Sequence, residues 1–224
     1  MSAADKTILM VVTSQGEIDA DHPTGLWLEE FAIPWHLFRE AGFKVTVASP
    51  FGGNTPLDPR SLEDDEQVIA WRDAQAALAQ TTPLRSVAAH SYAAVFLPGG
   101  HGTMFDLPAC HELQALLRSQ YEAGRIVAAV CHGPAGLVDV LLSDGQPLVS
   151  GKRLTAFTDA EERAVELDGL MPFLLETELR RQGANFIEGE LWGSHVEVDG
   201  TLVTGQNPAS SGAAAEAVIA LLKS

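Results

Sequence analysis

A cysteine followed directly by a histidine and a glycine ends the apolar run of residues 126–136, IVAAVCHGPAG. Ala129, Val130, Cys131, His132 and Gly133 fit the pattern small-x-nucleophile-x-Gly. This is the cysteine counterpart of the G-x-S-x-G elbow, in which a sharp strand-to-helix turn exposes a nucleophile. Gly133 lets the following segment start close to the strand, and a thiol at the N-terminus of a helix should have a depressed pKa and react as a thiolate near neutral pH. The competing reading is a small hydrophobe closing a buried strand, because cysteine is among the most buried residue types. The run alone does not separate the two.

A second glycine-rich segment favours the nucleophile. PGGHG, residues 98–102, ends another apolar run. Glycine amides at a neighbouring strand end can form an oxyanion hole with the amide that follows the nucleophile. Gly99 or Gly100 and the His132 N–H are the natural donors, and His101 can line the same pocket. Upstream, in TGLWLEE, Glu29 and Glu30 open a helix, where carboxylates are favoured by the helix dipole. That accounts for Glu29. Glu30 falls one position before Phe31 and can turn to the sheet edge, where burial beside a thiol would raise its pKa and let the two groups share a proton. His132 poses a geometric problem, since neighbouring side chains on a strand point to opposite faces. Only a sharp turn can bring it to the sulfur; otherwise it contributes a backbone amide alone.

The positioning elements follow from the alternation of short β-rich runs with helical periods, the signature of βαβ units around a parallel sheet. Strands are expected at residues 7–13, 44–48, 93–97, 126–130, 152–157 and 184–187, and 196–205 reads as a hairpin turning at Asp199-Gly200. Helices are expected over 26–41, over 61–80 with Ser61 as N-cap, over 108–123, 134–142 and 159–182, and from Pro208 onward. Ligands of such sheets bind at the carboxyl ends of the strands. Cys131 should therefore sit at that edge.

Composition narrows the partners. A chain of 224 residues suits one domain, since a single core serves up to roughly 250 residues. Its net charge of −16 repels phosphate backbones and anionic lipid, which argues against nucleic acid and membrane surfaces. No run reaches the roughly 18 apolar residues of a membrane span. The N-terminus carries no basic leader region, so a cytosolic location is expected, with Cys110 and Cys131 as free thiols. No H-x-x-x-H or C-x-x-C spacing indicates a metal site, and His22 with Asp19 and Asp21 reads as a solvated loop. Cys110 is read as structural or incidental.

AVCHGPAG, PGGHGTMFDLP, TGLWLEE and VTGQNPASS together resemble the DJ-1/PfpI superfamily, most closely its Hsp31-like glyoxalase III branch. The resemblance runs in the right order over nearly the whole chain. It implies a flavodoxin-like three-layer α/β sandwich with a mostly parallel sheet, one domain over 1–224, and a homodimer. It also implies conversion of methylglyoxal or related 2-oxoaldehydes to 2-hydroxy acids without glutathione, metal or other cofactor. The nucleophile would be Cys131, with His132 beside it and Glu30 as the first-helix carboxylate. An acidic residue after the next strand would orient His132. FTDAEE offers Asp159, Glu161 and Glu162; a capping box with Thr158 accounts for Glu161, and Glu162 holds the matching position. Some members are described as holdase chaperones or protein deglycases.

For a 2-oxoaldehyde, the thiolate would add to the aldehyde, amides would hold the hemithioacetal oxyanion, and Glu30 or His132 would move the proton between the two carbons. Hydrolysis of the resulting thioester gives the hydroxy acid. A cysteine amidase or peptidase is the alternative. The related class I glutamine amidotransferases use an H-x-E pair such as His195 and Glu197 with an elbow cysteine. Their G-x-Q after the cysteine is here Gly133-Pro134-Ala135, and Val196 and Val198 flank Glu197 as in a plain hairpin strand. His195 and Trp192 are expected to line the pocket.

Overall fold

The computed structural model describes residues 6–224; the first five, on which part of the leader reading rests, lie outside the described residues. The chain opens with β1 (Thr7–Val11), a small hairpin of β2 (Glu17–Asp19) and β3 (His22–Pro23), α1 (Leu28–Glu40) and β4 (Lys44–Ser49). Two short helices, α2 (Asp65–Ala70) and α3 (Arg72–Leu78), lead to β5 (Thr82–Pro83) and β6 (Ala94–Leu97). Next come α4 (Thr103–Asp106), α5 (His111–Glu122) and β7 (Ile126–Val130), then β8 (Arg153–Leu154), α6 (Asp159–Ala164), α7 (Leu175–Arg181) and β9 (Asn185–Phe186). The hairpin β10 (Val196–Asp199) and β11 (Leu202–Gly205) precedes the final helix α8 (Ser211–Lys223).

Seven strands form one sheet in the order β10-β11-β7-β6-β1-β4-β5. All neighbours are parallel except the β10–β11 hairpin. The inner strands read as continuous apolar runs because helices cover both faces. Ile8, Met10, Phe96, Ala128 and Val130 pack on Phe31 and Phe38 of α1 and on α8. The alternate residues Leu9, Val11, Val95, Leu97, Val127 and Ala129 pack on the leucines of α5. This is the expected three-layer α/β architecture.

Register decides what meets at the carboxyl edge. Leu97 of β6 lies across from Ala129 of β7, and Gly205 of β11 across from Val130. The strands end nearly level, so the residues just beyond them, PGGHG, Cys131 and Gln206-Asn207, converge.

Several expected elements are shorter. Residues 61–80 hold two helices behind a 3-10 turn (Pro59–Leu62); the turn is capped by Asp58 and α2 by Asp64, rather than by Ser61. Their carboxylates accept the first backbone N–H groups, which suits an N-cap better than a hydroxyl two residues inside the turn. The stretch 134–142 is only a 3-10 turn (Gly133–Leu137), because Val138 is extended and Asp139 is left-handed at φ +59°. Residues 159–182 break into α6 and α7 around a left-handed Glu166, with Gly169 and Pro172 between them. Of 152–157, only Arg153–Leu154 is strand, pairing with β9 in a separate two-stranded sheet.

Gly133 fixes how tightly the elbow turns. A Cβ there would lie 2.0 Å from the Leu97 carbonyl oxygen, a backbone atom that cannot swing aside. Gly133→Ala is therefore expected to cost about 3 kcal/mol or more, the upper end for overpacking. A melting temperature close to that of the wild type would show that the turn is not held this way.

Candidate active site

The elbow is a strained backbone with a purpose. Cys131 is left-handed at φ +60°, a conformation that costs a non-glycine residue ~1–3 kcal/mol unless its surroundings enforce it. They do: the Cys131 N–H donates to the Gly205 carbonyl at 2.9 Å, and its carbonyl accepts the Phe157 N–H at 2.9 Å. Glycine would take this conformation without strain, so what the position keeps is the thiol. The same turn solves the problem posed by adjacent side chains. Cys131 Sγ and His132 Nδ1 come within 3.4 Å of each other.

Glu30 reaches the sulfur from the first turn of α1 and is completely buried. Its Oε2 accepts the Gly99 N–H at 2.7 Å, while Oε1 has no other polar partner and the carboxyl interacts with the Cys131 thiol. Burial pushes Glu30 up to about 8. Burial also pushes the Cys131 thiol up, and the Glu30 charge adds to it. The expected depressed thiol pKa is thus corrected: the five-residue 3-10 turn after the elbow offers little dipole, and desolvation beside a carboxylate acts the other way. A second correction concerns Gly99, whose N–H is committed to Glu30. The Gly100 N–H has no acceptor among the described residues and the His132 N–H is directed at the sulfur, so these two amides are the donors left for an oxyanion.

A chain of hydrogen bonds runs away from the sulfur. His132 Nε2 meets Glu162 Oε2 at 2.7 Å, and His101 Nε2 meets Glu162 Oε1 at 2.8 Å. The two imidazole rings are tilted by 42° to each other, with centroids 4.0 Å apart. Arg60 Nη2 donates to His101 Nδ1 at 3.1 Å and to Asp58 Oδ2 at 2.6 Å, and the Arg60 Nε donates to Asp58 Oδ1. The Thr24 hydroxyl donates to the same Asp58 at 2.8 Å. Burial opposes ionisation of Glu162, yet the two histidines hold its carboxyl far below the usual carboxylate range. Burial brings His101 down to about 4, and its interactions with His132 and the Arg60 guanidinium lower it further. The donor atoms of His101, His132 and Glu162 lie within 4.8 Å of one another, close enough for a metal. Their pairwise hydrogen bonds account for the convergence without one.

Glu161 does something different. Its Oε2 closes the expected capping box with Thr158, while Oε1 accepts from the Trp192 N–H, Gln206 Nε2 and Asn207 Nδ2. It ties α6, which carries Glu162, to the loop that carries Trp192.

A cavity of about 250 Å³ opens over Cys131 and His132. Its walls are Trp27, Phe157, Val165, Trp192 and Pro208, with Gly100, His101 and Arg60 supplying the polar side. A larger hollow of about 520 Å³ beside Thr7 and His90 brings no comparable constellation together. Trp192 lines the reactive cavity as expected, but His195 does not. It lies against Gly189, with Nε2 3.2 Å from Glu197 Oε1, and is not among the residues that line the cavity. Glu197 is engaged by Arg153 at 2.8 Å, so the H-x-E pair is not assembled with Cys131. Asp58, Arg60, Trp27 and Phe157 were not singled out by sequence. The only signal for Arg60 was a cation closing a Gly- and Pro-rich loop.

Comparison with known proteins gives the family. The DJ-1/PfpI family model matches residues 24–221. The chain belongs to the DJ-1/PfpI family. Among its DJ-1/PfpI relatives, the glutathione-independent glyoxalase HSP31 of Saccharomyces cerevisiae is 34% identical, covering 98% of this chain and 99% of that protein. The protein/nucleic acid deglycase HchA of Escherichia coli is 30% identical, covering 94% of this chain and 76% of that one. The crystal structure of glyoxalase III from Candida albicans superposes with a TM-score of 0.89 at 30% identity, covering 97% of this chain and 98% of that one. Among the described residues of this DJ-1/PfpI chain, no helix is long and apolar enough to cross a membrane.

Glu30 should make stability depend on pH. Below the ordinary carboxyl value of 4.5, folded and unfolded states both hold the proton; between 4.5 and about 8 only the folded state does, so stability falls as pH rises through that window. Glu30→Gln keeps an acceptor for the Gly99 N–H and removes the titration. Its melting temperature relative to the wild type is expected to rise from pH 5 to 8 and then level, at ~2–4 °C per kcal/mol recovered. A difference that does not change with pH would show that Glu30 is not buried as an acid.

Proposed function

We propose that this chain is a glutathione-independent glyoxalase, a lyase of the D-lactate dehydratase type that converts methylglyoxal or a related 2-oxoaldehyde to the 2-hydroxy acid. The observation that carries the reading is the buried Glu30 carboxyl held against the Cys131 thiol. The relatives named as glyoxalases support it.

His132 Nδ1 takes the thiol proton while its Nε2–H stays on Glu162, and the sulfur adds to the aldehyde carbon. Glu30 enters protonated and gives its proton to the forming alkoxide, with the Gly100 and His132 amides holding that oxygen. The carboxylate so formed lies beside the hemithioacetal carbon. It removes the hydrogen there to give an enediol, the ketone oxygen taking the His132 proton, and returns it to the neighbouring carbon. Loss of the first hydroxyl proton leaves a thioester, which water cleaves to the hydroxy acid and the free thiol. One carbon is oxidised and its neighbour reduced, so no external oxidant enters. Two free thiols suit a reducing compartment such as the cytosol.

A deglycase activity is the second reading, favoured by the HchA relationship, and uses the same sulfur. The deciding assay follows lactate formation from methylglyoxal by purified protein. Cys131→Ala should lower the rate to the uncatalysed level, and Glu30→Gln by ~10²-fold or more, the usual worth of a positioned proton carrier. Wild type no faster than Cys131→Ala would remove the glyoxalase reading.

A further inference from the structure

Two histidines share one carboxylate beside the sulfur, yet only one of them can serve as its base. Both Glu162 oxygens are taken, Oε2 by His132 and Oε1 by His101. If either ring could hold the second proton, protons would be divided between a nitrogen that touches Cys131 and one that does not. Arg60 breaks the symmetry. A guanidinium has five N–H donors and no acceptor. The nitrogen of His101 that faces it, Nδ1, must therefore present a lone pair, and the one proton of that ring must lie on Nε2, aimed at Glu162. His132 has no such neighbour on Nδ1; the thiol is there instead.

We propose that Arg60 is a positioning residue that fixes the tautomer of His101, bars it from protonation, and so reserves His132 as the ring that accepts the Cys131 proton. Asp58 holds Arg60 in place: two of its oxygens grip the guanidinium, and the Thr24 hydroxyl and the Arg60 backbone N–H hold the carboxylate. The charged and titratable groups that face His101 are Glu162 from α6, His132 from the elbow and Arg60 from the Pro59–Leu62 turn. Phe157 covers its edge at 6.0 Å. Asp58 and Cys131 lie one contact further out, behind Arg60 and His132, and Glu30 lies behind Cys131. The lowering of His101 to about 4 agrees with a ring kept neutral across the neutral range. Without Arg60, the carboxylate would draw a proton onto His101, and an imidazolium 4.0 Å from the His132 ring would oppose the protonation that thiolate formation needs.

The test has an arm independent of turnover. Nitrogen-15 histidine spectra of the wild-type protein should show His101 as the neutral Nε2–H tautomer from pH 5 to 8. In Arg60→Met it should titrate within that range, towards or above the ordinary histidine value of ~6.5. The kinetic arm alone rests on the glyoxalase reading: from pH 7.5 to pH 5.5, methylglyoxal turnover by Arg60→Met should fall at least about fivefold more than wild-type turnover, as expected when a competing proton site opens. Adding His101→Gln, whose amide can donate to Glu162 but cannot titrate, should restore the wild-type pH profile. Arg60→Lys, which keeps a donor for Nδ1, should show little of the defect. Because Arg60→Met leaves the buried Asp58 unpaired, Asp58→Asn/Arg60→Met is the folded substitute, and the same outcomes are expected of it. A wild-type His101 that carries a proton on Nδ1, or that titrates near 6.5, overturns the proposal; so does an Arg60→Met/His101→Gln double variant with the same pH profile as Arg60→Met. Absence of methylglyoxal turnover in the wild type would instead overturn the glyoxalase reading and leave the spectra to decide this one.

Discussion

The backbone of one residue governs this site. Cys131 is left-handed between a hydrogen bond to the end of β11 and another from Phe157, and Gly133 lies against the end of β6 with no room for a side chain. Three neighbouring segments therefore hold the sulfur where it is. The same pins turn His132 onto it and bring Phe157 to the cavity wall. A relaxed, extended Cys131 would send the two side chains to opposite faces of the sheet. The sulfur–imidazole contact exists because the turn is strained, and the strain is tolerated because the sheet ends are in register.

Around that turn the protein buries four carboxylates and treats each differently. Glu30 is favoured as the neutral acid, since it has one backbone donor and a thiol for company. Glu162 is kept ionised by two imidazoles. Asp58 pairs with Arg60 through two hydrogen bonds, which hold it ionised against its burial. Glu161 accepts from backbone and amide donors and serves to join elements. In a chain of net charge −16, these distinctions cannot come from overall charge. They come from which donors each oxygen meets once it is out of water.

Much of this was legible in sequence, and the limits have physical causes. The apolar runs that became β1, β6 and β7 are buried on both faces, and few other structures suit so many consecutive apolar residues between turn signals. The elbow and PGGHG were readable because steric crowding at a strand end leaves little choice but small residues. The Thr158–Glu161 capping box was readable because its partners are three residues apart. Longer elements failed where a left-handed residue such as Asp139 or Glu166 broke a helical period that composition still allowed. Side-chain partnerships across the fold were harder. That Gly99 serves Glu30, that Arg60 faces His101 and that His195 turns away are consequences of loop paths, and no local spacing encodes them.

One feature separates a proton-shuttling lyase from a hydrolase on the same elbow. A cysteine hydrolase needs a sulfur, an imidazole to deprotonate it and a carboxylate to orient the imidazole. Cys131, His132 and Glu162 already bring those three groups into contact. Glu30 is then surplus, and a costly surplus: burial raises both groups, and Glu30 raises the thiol further, which weakens the nucleophile at rest. A hydrolase would gain nothing from that arrangement, because the leaving group it must protonate is within reach of the imidazole. Isomerisation through an enediol does gain, since a hydrogen must leave one carbon and arrive at the next while the imidazole is occupied with the thiol proton. Two proton carriers beside one sulfur are what that chemistry requires.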